Sequence, residues 1–106
     1  MRQHIASAHS TDHAGNPAGG TTTGVGINID WQNGPLGRGA DQKEPNGAFV
    51  EGVIAAALDR LQFFQTSKFA SPLNAGVISC LESALRLLDA RTTEREARGV
   101  EGTHEK

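Results

Sequence analysis

The sequence predicts an α+β fold: a short N-terminal β-strand region followed by a long antiparallel helical hairpin. Three observations carry this. Val25, Ile27, Ile29 and Trp31 recur every second residue, which places all four on one face of a strand. Two later stretches repeat apolar residues at spacings of three and four, as amphipathic helices do. The break between them, residues 66–70, is so short that the two helices must run antiparallel.

Composition narrows the function. A chain of 106 residues is one small domain at most, and such a domain buries only about 60 to 70% of its unfolded surface. Self-association would help it. The formal charge of −2 gives no general attraction to nucleic acid, so DNA and RNA are not expected as partners, and any anion must be held by a local cluster of arginines. The single cysteine, Cys80, excludes an internal disulfide and a cysteine-based metal cage; within an apolar helical pattern it is expected to pack as a small hydrophobe. No run of about 18 apolar residues exists, and no apolar segment follows Arg2, so neither a membrane span nor a signal peptide is expected. The expected location is the cytoplasm.

Residues 1–20 hold few large apolar groups and read as a disordered tail, because they cannot bury enough surface to offset the entropy of ordering them. His4, His9 and His13 within that stretch are expected to be solvated, since a metal site needs a rigid frame. Residues 21–47 form the β-strand and loop region. The strand runs to Trp31, the Asn33-Gly34-Pro35 sequence turns the chain, and a loop rich in glycine and charge follows. The glycines at 24 and 26 make no phosphate loop, because neither a later fingerprint glycine nor a P-loop lysine accompanies them. Asn46 is a reasonable helix N-cap. Arg38 and Lys43 are basic residues of that loop and are expected to be solvated.

Residues 48–106 form the helical hairpin domain with its C-terminal tail. Val50, Val53, Ile54, Ala57, Leu58, Leu61 and Phe64 share one face of a helix over 48–65. Ser71-Pro72 opens the second helix, a cap followed by proline at the first helical position. Gly99 is its natural stop. The second helix is then roughly nine residues longer than the first and projects beyond it.

That projection carries arginines. The apolar line Val77, Leu81, Ala84, Leu88 continues at the same spacing through Arg91, Arg95 and Arg98, which assigns the arginines to the inward face. Arginine suits bidentate recognition of phosphate or carboxylate, and two of them one turn apart form a fork for a polyanion. The competing account is that they complement the helix dipole and pair with Asp89, Glu94 and Glu96. At the opposite end, Phe64 and Asn74 could stack on and hydrogen-bond a nucleobase, or serve as a core aromatic and a turn residue. Asn74 and Arg91 lie about 25 Å apart along one helix. A single small ligand can reach both ends only between two antiparallel hairpins, and a twofold dimer would then hold two identical pockets.

The runs GINIDWQNGPLG, PNGAFVEGVI, RLQFFQTSKFASPLNA and RTTEREARGVEGTHEK, in that order, resemble the first described phage Thoeris anti-defence sponge family, whose helical hairpin is related to that of anti-CBASS sponges. The resemblance covers about residues 26–106. It implies a non-enzymatic protein, with no cofactor and no metal, that sequesters the immune messenger glycocyclic ADP-ribose. It also implies that Phe64, Asn74, Arg91 and Arg95 stand where the family's ligand-binding phenylalanine, asparagine and arginine pair stand. Members of the family include hexamers, trimers of dimers, that bind cyclic oligonucleotides at separate sites. The assembly expected here is therefore a homodimer or a hexamer, with the tail over 99–103 a candidate for a second site. The alternatives are a sponge for cyclic di- or trinucleotides and a helical adaptor whose arginines meet an acidic protein partner. An enzyme fits worst: no serine or cysteine has a histidine partner in the ordered sequence, and no carboxylates cluster on an inward face.

Overall fold

A computed structural model describes residues 4–106. The chain divides into two compact units, one built from the residues up to Phe49 together with Gly99–Lys106, the other from Val50–Arg98.

The first unit is a three-stranded antiparallel sheet, β1 (Ala6–Thr11), β2 (Pro17–Gly24) and β3 (Ile27–Asp30), in that spatial order. Much of the segment expected to be a disordered tail is therefore strand; only its first three positions lie outside the described residues. Its stabilisation is not apolar. Ala6 to His9 pair in register with Thr23 to Gly20, and the Ser7 and Thr22 hydroxyls meet at 2.8 Å across the pair. Asp12 closes the connecting turn, its Oδ1 accepting the backbone N–H groups of Ala14 and Asn16, both at 2.9 Å. The Asn16 N–H, above all, holds the Asp12 carboxyl below its ordinary pKa.

The single strand expected over 21–31 is instead the second hairpin. Gly24 pairs with Ile27, and Val25-Gly26 between them is the turn, leaving Val25 fully exposed. The alternation Val25, Ile27, Ile29 crosses a turn, so its first member does not share the face of the others. Trp31 donates its indole N–H to Thr22 Oγ1 at 2.8 Å. Thr22 thus joins Ser7 and Trp31 and is buried, with 8% of its surface exposed.

Asn46 does not cap a helix. Its side chain accepts from the Asn33 N–H at 2.8 Å and donates to the Asn33 carbonyl at 3.0 Å. Ala48 is likewise committed to the sheet, its N–H on the Asp30 carbonyl and its carbonyl accepting from Gln32. With those groups engaged, the helix cannot begin at 48.

The tail after the second helix folds onto the same unit. Gly37 donates its N–H to the Gly102 carbonyl at 2.8 Å, and Arg38 Nη1 donates to the Glu101 carbonyl at 2.9 Å. Arg38 is therefore a structural clamp rather than a solvated loop residue. Gly102 has φ +81°, and a Cβ there would lie 2.3 Å from the Gly37 oxygen. A Gly102→Ala variant is expected to lose about 1 to 3 kcal/mol through the strained φ alone, with faster amide exchange at Gly37; unchanged exchange and melting would contradict the clamp.

The second unit is the hairpin. α1 spans Val50–Phe64 and α2 spans Pro72–Ala97. Ser71 caps α2 in extended conformation, its hydroxyl accepting the Asn74 N–H, with Pro72 at the first helical position. Gly99, at φ +75°, follows as the stop. α2 has 26 residues and α1 has 15, so the longer helix exceeds the shorter by 11.

Candidate functional site

The hairpin displays its candidate residues at two separate ends. At the turn, Gln65 bridges the loop through its side chain, donating to the Ser71 carbonyl at 3.1 Å and accepting the Ser71 N–H at 2.9 Å. Ser67 Oγ donates to the Phe64 carbonyl at 2.6 Å and accepts the Phe69 N–H at 3.1 Å. These bonds satisfy helix-end groups and hold Phe64 and Asn74 on a closed, well-defined turn. Asn74 is bound twice: its N–H sits on Ser71 Oγ and its Nδ2 donates to the Phe69 carbonyl, both at 3.1 Å. The side-chain Oδ1 of Asn74 has no hydrogen-bond partner among the described residues.

Phe64 is half-buried at this end. Its ring centroid lies 6.4 Å from that of Phe63, with the planes tilted by 42°. The Arg60 guanidinium lies over both rings, 5.1 Å from each centroid. Lys68 stands 5.3 Å over the Phe69 ring. Phe63, Phe69 and Leu73 are 56%, 68% and 83% exposed. Phe63 and Phe69 join Phe64 at this end, and in the sequence the spacing of Arg60, Phe63 and Phe64 puts a cation one turn before two aromatics.

At the far end the three arginines differ from one another. Arg91 is exposed, and its side chain makes no hydrogen bond or ion pair among the described residues. Arg95 is buried, at 8% exposure, and has a partner within the chain. Arg98 is exposed and paired with Glu94 one turn away, a contact of little energetic weight in solvent. The expectation that all three face inward therefore holds for Arg95 and fails for Arg91 and Arg98.

The reason lies in α2, which carries two stripes. Asn74, Ile78, Leu81, Leu85, Leu88, Thr92 and Arg95 are half-buried or buried. Leu73, Val77, Cys80, Ala84, Leu87 and Arg91 recur at alternating spacings of four and three, the heptad spacing of a coiled-coil seam. Apart from half-buried Ala84, this second set is exposed. Cys80, expected to pack as a small hydrophobe, is an exposed free thiol on it. The line Val77, Leu81, Ala84, Leu88 steps between the two stripes, which is how Arg91 came to be assigned inward.

Phe64 and Asn74 thus share one end of the hairpin, and Arg91 and Arg95 share the other, about 25 Å away along a continuous helix. Among the described residues no three His, Cys, Asp or Glu side chains gather where they could hold a metal. No described helix is long and apolar enough to cross a membrane.

No family model matches the chain. It is, however, 47% identical over 78 residues to Thoeris anti-defense 1 of Bacillus phage SBSphiJ7, across 74% of this chain and 52% of that protein. The chain spans about half the length of the curated relative it matches. At that identity over most of its length, the chain resembles the Thoeris anti-defence family.

Proposed function

We propose that this chain counters Thoeris defence as a sponge, binding a cyclic ADP-ribose-type messenger, glycocyclic ADP-ribose, without degrading it. The observation that carries this is the free guanidinium of exposed Arg91 at one end of α2, with the aromatic ring of Phe64 and the Oδ1 of Asn74 held at the other. The phosphates go to Arg91 and Arg95, the purine stacks on Phe64, and Asn74 Oδ1 accepts from the base or ribose. The protein acts in the cytoplasm of the infected cell.

One chain cannot close such a pocket, so two antiparallel hairpins share it. The exposed stripe from Leu73 to Arg91 supports that assembly: it has the spacing of a helix–helix seam and ends at the ligand-binding arginine. Among the described residues no apolar side chain is fully buried. A second copy supplies the missing burial; a hexamer would add further contacts between such dimers.

Calorimetry with purified glycocyclic ADP-ribose tests the function. Saturable heat at micromolar ligand is expected, with the ligand recovered intact after denaturation of the protein. No heat and no thermal shift would refute binding, and a hydrolysed ligand would refute the sponge in favour of an enzyme.

A further inference from the structure

We propose that Arg60 is a positioning residue for base recognition, bracing the Phe64 ring so that a purine meets a pre-set aromatic plate. The inference rests on the stacking role of Phe64 given above. Spacings of three and four place Arg60 beneath both Phe63 and Phe64 on α1, and its guanidinium lies 5.1 Å from each ring centroid. It makes no hydrogen bond or ion pair among the described residues, so the rings are what it engages.

Such a cation acts in two ways. It restrains a phenyl side chain at the last turn of a helix, and less freedom is then lost when a base stacks. It also occupies one flank of the ring through its attraction to the π-face, which leaves the other flank for the base. No acidic residue occurs between Arg60 and Gly76 to divert the guanidinium. Lys68 over Phe69 repeats the pairing of cation and ring on the turn, but Phe69 lies outside the helices, and only Arg60 touches the ring assigned to the base.

The test compares a probe that has a base with one that lacks it. Binding of cyclic ADP-ribose and of inorganic pyrophosphate is measured by calorimetry for the full-length wild type, Arg60→Met and Arg60→Lys. The methionine variant should bind cyclic ADP-ribose about 5- to 30-fold more weakly and pyrophosphate as the wild type does. The lysine variant, which keeps a cation over the rings, should recover part of the loss. Unchanged binding of cyclic ADP-ribose by Arg60→Met overturns the bracing role and leaves the sponge standing. Equal losses for both probes reduce Arg60 to a general charge and also overturn it, as does a lysine variant no better than methionine. A wild type that binds pyrophosphate but not cyclic ADP-ribose refutes base recognition as a whole, and this inference with it.

Discussion

Arg91→Ala is expected to weaken messenger binding about 10- to 150-fold while leaving the fold intact. The size follows from losing charge-assisted hydrogen bonds worth about 1.5 to 3 kcal/mol in all. The intact fold follows from the position: Arg91 is exposed and has no ion pair among the described residues, so its removal should change stability by no more than about 0.5 kcal/mol. Arg95→Ala should behave differently. Arg95 is buried and engaged within the chain, so its loss should lower the melting temperature as well as affinity. Equal stability losses in both variants would contradict the division of labour; unchanged affinity in both would remove the arginines from the site.

Leu87→Glu is the second large effect. Leu87 is 73% exposed in the single chain, so a carboxylate there has little reason to disturb the isolated hairpin. If the stripe of α2 is the seam between hairpins, each Leu87 contributes about 1.5 to 3 kcal/mol of burial in the assembly. Twofold symmetry makes the change twice over. Dimerisation should then weaken a hundredfold or more, with messenger binding lost at concentrations where the variant is monomeric. Sedimentation at several concentrations checks this. A variant that sediments like the wild type would remove the stripe from the interface.

The helices were legible because α1 repeats apolar residues at helical spacing and because the punctuation of α2 is explicit: Ser71-Pro72 opens it and Gly99 ends it. The four candidate residues were legible as two pairs at opposite ends, since helical rise alone separates them. The sheet was less so. β1 and β2 are built from alanine, serine, threonine and glycine, and are held by backbone pairing, the Asp12 turn and the Ser7–Thr22–Trp31 chain. None of these raises the apolar signal that marks a strand. The turn at Val25-Gly26 was hidden by an apolar residue that happened to keep the alternation. Arg91 was assigned the wrong face because α2 has two stripes, and a single line of fours and threes can pass from one to the other. The spacing of Arg60 to the two phenylalanines is plain in the sequence, but a basic residue on a helix usually signifies only solvent.

Mixing two defective chains tests the shared pocket most directly. Phe64→Ala and Arg91→Ala are each expected to weaken binding, but from opposite ends. If one hairpin supplies Phe64 and Asn74 while its partner supplies Arg91 and Arg95, each mixed dimer contains one pocket with both lesions and one with neither. Equal amounts, allowed to exchange subunits, should therefore recover wild-type affinity in about one pocket in four. Binding that stays absent in a mixture shown to have exchanged would place both ends of the ligand on a single chain and contradict the shared pocket.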